Sequence, residues 1–204
     1  MRFIFRNAAI LAPLNATVNE INTEIIRRAP GELYTYLSTD TPLSDEDAVN
    51  FPTEFLNKQE SGSLPPHKLE LKVGCPVIVI RNIHPPHLVN GTRAIITNLL
   101  PNVIEVTKSN GQSHFIPRIS IVPSDNSREF IFRRRQFPIK IAYCMTINRA
   151  QGQTLDRTGL FLSTPCFGHG QLYVGISRTP DPRDIHVYLP SGDRTVNPVY
   201  RECL

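Results

Sequence analysis

The sequence predicts an α/β fold interrupted by a small all-β insert, and three observations carry that expectation. A strand–loop–helix unit opens the chain, and short strands with strong turn signals fill its middle. Near the end stand two dense polar clusters, Thr146-Ile-Asn-Arg-Ala-Gln-Gly-Gln-Thr154 and His169-Gly-Gln-Leu-Tyr-Val-Gly-Ile-Ser-Arg178, each following or riding on an apolar element. That last arrangement suits a phosphate-handling site at the edge of an α/β sheet.

Composition sets the bounds. The 204 residues suit one domain, or a domain with a small insert. Hydrophobic content of 40% and charged content of 20% are globular values and exclude a disordered chain. No stretch approaches the ~18 apolar residues of a membrane span. None of the eleven glycines precedes a lysine, so no phosphate-cradling G-x-x-x-x-G-K-[ST] loop exists in the sequence. Cys75, Cys144, Cys166 and Cys203 lie far apart without a C-x-x-C pair, which suggests neither a zinc site nor a disulfide framework. The net charge of +4 includes a local excess at Arg128, Arg133, Arg134, Arg135 and Lys140. Such a strip is either a solvated strand face or an electrostatic footprint for nucleic acid.

Along the chain, Ala8–Ala12 reads as a short buried strand. Thr17-Val-Asn-Glu20 reads as a capping box opening a helix on which Val18, Ile21, Ile25 and Ile26 recur at helical spacing. Arg27-Arg28 close that helix where its dipole favours cations, and Pro30-Gly31 end it. Asn15 thereby falls at the carboxyl end of a strand, where α/β sheets hold ligands. A strand follows at Leu33–Leu37 and an acidic turn at Asp45-Glu-Asp47. Strands are then expected at Cys75–Arg81, Arg93–Asn98, Val103–Lys108 and His114–Val122. Asn110-Gly111 marks a tight hairpin among them, and together they suggest a small barrel. Ile139 to Met145 reads as one central strand discharging into the first polar cluster. Leu160–Leu162, a helix over His169–Arg178, and Ile185–Leu189 complete the pattern. The residues from Pro190 onward read as a loose polar tail.

On the second cluster's helix, Gln171 and Arg178 are seven residues apart and share a face with Gly175, while Leu172 and Ile176 would anchor the other side. An arginine so held can reach a γ-phosphate through forked, charge-assisted hydrogen bonds, an interaction associated with ~10³–10⁵ in phosphoryl-transfer rate. In the first cluster Thr146, Asn148, Arg149, Gln151 and Gln153 offer donors within eight residues of a strand end, and Gly152 permits close backbone approach. These suit phosphate oxygens of a single strand, which position nucleic acid without reading its sequence. The alternative is a polar turn satisfying its own backbone.

Several segments resemble one family. Leu11-Ala-Pro-Leu-Asn15 with Val18 and Asn22 resembles helicase motif IV. Leu69-Glu-Leu-Lys-Val-Gly74-Cys-Pro-Val, Arg81-Asn82 and Asn90-Gly-Thr-Arg93 resemble the inserted barrel of the Pif (petite integration frequency) DNA helicases. Met145–Thr154 is similar to motif V of that family and Gly170–Arg178 to motif VI. The variety resembled most is the one found with Helitron transposons. Phe115-Ile-Pro-Arg118, Arg135-Gln-Phe-Pro138 and Val199-Tyr-Arg-Glu202 extend the likeness along nearly the whole chain.

The resemblance implies a RecA-like second motor lobe of a P-loop helicase, itself lacking the P-loop, with a small inserted all-β barrel. Residues 1–68 and 137–190 would form the lobe, 69–136 the barrel and 191–204 the tail. It implies an ATP-driven, Mg²⁺-dependent enzyme moving 5′-to-3′ along single-stranded DNA. Such enzymes are linked to DNA repair, recombination and telomere maintenance, and reside in the nucleus or the mitochondrion. Arg178 would be catalytic and, with Gln151, Gly152 and Gln171, would bind the nucleotide. Asn15, Thr146, Asn148, Arg149 and the strip Arg133, Arg134 and Arg135 would bind DNA. No metal ligands are expected here, because the first lobe brings the phosphate loop and the magnesium carboxylates. That lobe is missing from the sequence, as in a truncated gene model or transposon remnant, so the chain is expected to be inactive alone. Its expected partners are single-stranded DNA, duplex junctions, and a motor lobe in cis or a helicase in trans. The rival expectation is a non-enzymatic module that binds single-stranded nucleic acid.

Overall fold

In the computed structural model, whose described residues are 5, 7–44, 50–61, 63–123, 131–190, 192, 194–200 and 202, Ala8–Ala12 forms strand β1 with both faces packed. Leu11 joins Ala9, Met145, Ile147, Leu160 and Leu162 in one core cluster, while Ile10 and Ala12 pack with Val18, Ile21 and Cys144 in another. Alternate residues of one strand thus serve two faces. The turn expected at Asp45–Asp47, Arg128 of the basic strip and Cys203 lie outside the described residues.

Pro13 and Leu14 lead from β1 into helix α1, Asn15–Arg28. The expected capping box does not form. The helix opens two residues before Thr17, with extended Leu14 at the cap position, and the Leu14 carbonyl accepts the Val18 N–H at 3.1 Å. Thr17 and Glu20 therefore lie inside the helix. Val18, Asn22 and Ile26 recur every four residues on its buried face. The Asn22 amide donates to the Cys144 carbonyl at 2.9 Å and accepts the Cys144 N–H at 2.8 Å, so a buried polar group fastens α1 to the neighbouring strand.

That neighbour is β12, Cys144–Thr146, the terminal strand of a four-stranded parallel sheet. The order is β12, β1, β13 (Arg157–Phe161), β14 (Ile185–Tyr188), with Leu11 opposite Met145 on one side and Leu160 on the other. The single central strand expected over residues 139–145 is two strands in different sheets. β11, Ile139–Ile141, pairs antiparallel with β5, Pro76–Val79, and the chain changes sheets at Ala142 and Tyr143. β12 is apolar because α1 packs against it and the turn that follows it packs back, not because it is central.

The chain divides into two compact units, Met1–Ala29 with Ala142–Leu204, and Pro30–Ile141. The second begins earlier than the insert expected at residues 69–136. Residues 30–68 belong with it because β2 (Tyr34–Leu37) pairs with β4 (Lys68–Leu71), and β3 (Thr39–Pro42) pairs with β10 (Phe132–Gln136). Its five-stranded antiparallel sheet runs β11, β5, β6 (Arg93–Leu99), β7 (Val103–Thr107), β8 (Ser113–Pro117). The Asn110-Gly111 turn joins β7 to β8 as the sequence signals, with Gly111 at φ +85°. The strand expected over residues 114–122 breaks at Arg118, and β9, Ile119–Ile121, joins β10 in a three-stranded sheet ordered β3, β10, β9. The short helix α2, Thr53–Asn57, contributes Leu56 to a core with Leu64, Ile121 and Phe132.

Candidate nucleotide and nucleic-acid site

Thr146 ends β12 with extended backbone, and its hydroxyl accepts the Arg149 N–H at 3.4 Å, capping a 3-10 turn over Ile147–Ala150. Ile147 and Ala150 turn into the core and leave Asn148 exposed. Ala12 of β1 stands opposite Thr146, and Asn15 follows three residues later, exposed at the start of α1. Both polar residues thus sit at the carboxyl ends of adjacent parallel strands, where an open α/β sheet presents its ligand-binding groups.

The helix expected over residues 169–178 is shorter: α3 spans Gln171–Ile176, entered through Gly170 at φ +70°. Its orientation reverses the expectation. Gln171 and Gly175 face inward, Leu172 and Val174 pack at the flank of the core, and Ile176 is 43% exposed. Gly175 favours this orientation, because a Cβ there would lie 3.0 Å from Leu160 Cδ1 and the bare backbone lets α3 sit close to β13 without displacing that side chain. Arg178 lies beyond the helix and does not share a helical face with Gln171.

Hydrogen bonds tie the two clusters together. The Gln171 amide donates to Asn148 Oδ1 at 3.3 Å and accepts the N–H groups of Phe167 at 3.0 Å and Gly168 at 3.4 Å. The half-buried Arg178 donates from Nε to the Val174 carbonyl at 2.8 Å, from Nη1 to the Gln153 carbonyl at 3.2 Å, and from Nη2 to Ser177 Oγ at 2.8 Å. Its own carbonyl accepts the Leu155 N–H at 2.9 Å, and the next residue, Thr179, shares a buried hydroxyl–hydroxyl bond with Thr158 of β13. Gln151 and Gly152 are exposed on the connecting loop, with Gly152 at φ +80°, a conformation that favours glycine. Burial lowers the pKa of Arg149.

Thr146, Asn148, Arg149, Gln151, Gly152, Gln171 and Arg178 are therefore gathered in one unit, and Asn15 belongs to the same unit. Two of the groups that hold Arg178, the carbonyls of Val174 and Gln153, belong to the backbone, and a carbonyl has no signature in a sequence. The tail expected to be loose is tied at Tyr200, whose N–H donates to His169 Nδ1 at 3.1 Å. Among the described residues, no group of three or more His, Cys, Asp or Glu side chains could hold a metal ion.

Arg133, Arg134 and Arg135 belong to the other unit and do not act alike. Strand alternation exposes Arg133 and Arg135 but buries Arg134 completely. Arg134 forms a bidentate ion pair with Asp40, with Nη2 2.7 Å from Oδ2 and Nε 3.0 Å from Oδ1. Its remaining donors reach the carbonyls of Leu56, Gln59 and Pro65. A guanidinium so enclosed cannot meet DNA, so Arg134 is a structural residue and not part of a DNA-binding strip.

Residues 54–99 match the family model described as DNA helicase Pif1, 2B domain. The chain is 33% identical over 120 residues to the ATP-dependent DNA helicase Pif1 of Bdellovibrio bacteriovorus, covering 59% of the chain and 27% of that protein. It is 31% identical over 149 residues to the ATP-dependent DNA helicase PIF6 of Trypanosoma brucei brucei, covering 69% of the chain and 18% of that protein. The solved Bacteroides Pif1 bound to single-stranded DNA aligns over 88% of the chain and 40% of its own, with a TM-score of 0.67 and 26% identity. The chain belongs to the Pif1 helicase family. A Pif1 structure concerned with unwinding at forked double-stranded DNA also aligns, at TM-score 0.68 and 27% identity over 89% of the chain and 39% of its own. The Pif1 likeness thus extends over both units, although the chain spans under a third of the two curated relatives' length. The Helitron variety is not distinguished by these relatives.

Proposed function

We propose that this chain supplies the second, RecA-like lobe of an ATP-dependent 5′-to-3′ DNA helicase, with Pro30–Ile141 as a barrel inserted into it. The observation that carries the reading is Arg178, half-buried and pinned at its backbone, in the same unit as the Asn148–Gln171 bond that joins the two polar clusters. The names of the relatives support the activity, and the Pif1 structures with DNA support the substrate.

On this reading Arg178 exchanges the Gln153 carbonyl for the γ-phosphate of ATP, a charge-assisted bond stronger than the neutral one it replaces. Gln151 and Gly152 present an exposed loop to the same nucleotide. Gln171, buried and engaged at both ends of its amide, fixes Asn148 and the Phe167–Gly168 backbone. These residues fit one side of a nucleotide only. Mg²⁺ neutralises phosphate charge in such reactions, and the carboxylates that hold it come from the first lobe, in cis or in trans, with the phosphate loop. Asn15, Thr146, Asn148 and Arg149 face the phosphates of single-stranded DNA at the strand ends. Nuclear residence, with the mitochondrion as the alternative, accompanies the family's work in repair, recombination and telomere maintenance.

The test joins this chain to the first lobe of the Bdellovibrio relative and measures DNA-stimulated ATP turnover. Arg178→Ala is expected to lower kcat by about 10³, while single-stranded DNA binding persists. Unchanged turnover in that variant would reject the assignment. The unjoined chain is expected to show no turnover above background with DNA and Mg²⁺. If the joined protein binds DNA without turnover, the non-enzymatic reading takes its place.

A further inference from the structure

Building on the helicase reading of this site, we infer that Gln153 is the positioning residue through which γ-phosphate capture by Arg178 changes the grip of the Thr146–Arg149 turn on single-stranded DNA. Gln153 holds both sides at once. Its backbone carbonyl accepts Arg178 Nη1 at 3.2 Å, and its side-chain Nε2 donates to the Arg149 carbonyl at 3.1 Å. Its backbone N–H donates to the Ala150 carbonyl at 3.0 Å. The amide is thus directed at the polypeptide, and Gln153 works as a strut between the turn and Arg178.

The turn it braces carries the DNA-side groups. The Arg149 N–H donates to the Thr146 hydroxyl, and Asn148 stands exposed between them, its carbonyl accepting the Gln151 N–H at 3.3 Å. On the other side, Arg178 places its guanidinium nitrogens on Val174, Gln153 and Ser177, so each is engaged within the chain. When the γ-phosphate takes the place of the Gln153 carbonyl, the Gln153 backbone loses its tether to Arg178. Gly152 gives it a place to pivot, being exposed and at φ +80°, with no heavy atom within 4 Å of where a Cβ would stand. The Nε2 bond passes that motion to the Arg149 carbonyl and so to the turn. Nucleotide capture therefore loosens the turn, and nucleotide and DNA weaken one another by the same factor.

The test measures the affinity of a fluorescent oligo(dT) for the joined protein described above, with Mg²⁺ and either ADP or the non-hydrolysable β,γ-imido analogue of ATP. The analogue is expected to weaken DNA binding about 5-fold or more relative to ADP, which has no γ-phosphate. In Gln153→Leu and Gln153→Glu, which remove the donor at nearly constant size, that ratio is expected to fall below about 2. The two variants stand in for one another should either fail to fold. Arg178→Ala is expected to abolish the ratio as well, and adding Gln153→Leu to it should change nothing further, because the two residues act in one path. A ratio in the Gln153 variants equal to the parent's overturns the inference, as does a further change in the double variant. Tighter binding with the analogue reverses the direction and overturns it too. A parent that turns over ATP but shows no ratio ends this inference and leaves the helicase reading standing, whereas a parent with neither ends both.

Discussion

Arg134 is a residue whose removal leaves a worse problem than the one it solves. Its guanidinium and the Asp40 carboxylate are both fully buried, and truncation strands the partner's charge away from water. Arg134→Ala is expected to destabilise the chain by about 3–5 kcal/mol in urea unfolding. Arg133→Ala, on the exposed side of the same strand, should stay within about 0.5 kcal/mol. Similar effects for the two would mean that the ion pair is not the anchor its geometry implies. A second residue-scale expectation concerns His114. Its ring continues a column with His87 and His84, centroids 6.0 and 5.6 Å apart, and Lys108 donates to the His87 carbonyl at 3.1 Å. Burial first, then Lys108, His87 and His84, hold the His114 pKa below its ordinary 6.5. The unfolded chain therefore takes up a proton at a higher pH than the folded one. Stability on this account is complete above pH 6.5 and declines as the pH falls below it. Urea midpoints at pH 7.5 and 5.0 should differ in that direction, and less so in His114→Gln; an equal difference in both proteins would clear His114 of the effect.

At the scale of elements, α3 is set by a missing side chain. Gly175→Ala gains about 1 kcal/mol of helix propensity but pushes Leu160 aside by a few tenths of an ångström, so a change under about 1 kcal/mol is expected. Gly175→Leu has no such room and should lower stability by about 1–3 kcal/mol in thermal unfolding. Tolerance of leucine would mean that α3 can lift from β13. The same element shows what the sequence could and could not disclose. Apolar periodicity and the Asn-Gly turn placed α1 and the β7–β8 hairpin, and donor density marked both polar clusters. Periodicity did not show that residues 139–146 serve two sheets, because an apolar strand carries no mark of its partner. Nor did it orient α3, where the informative position was a glycine. Phe132-Arg-Arg-Arg-Gln136 alternates only in the fold, since the acid that draws Arg134 inward lies 94 residues earlier.

For the whole molecule, the first unit is assembled from the two ends of the chain and the second from the stretch between them. β1 has no strand partner until residues 144–146 and 157–161 exist, whereas every strand of Pro30–Ile141 finds its neighbours inside that stretch. During synthesis the middle is therefore complete while β1 is still a solitary apolar strand, and domains generally fold as they emerge. A folded middle also replaces a long flexible loop with a compact one, reducing the entropy lost when β1 meets β12 and β13. The order of folding is then fixed by topology: the inserted unit first, the parallel sheet second. Pulse-labelled hydrogen exchange during refolding should protect the amides of β5 to β8 before those of β1 and β13. Simultaneous protection would mean that the two units rise and fall as one cooperative body.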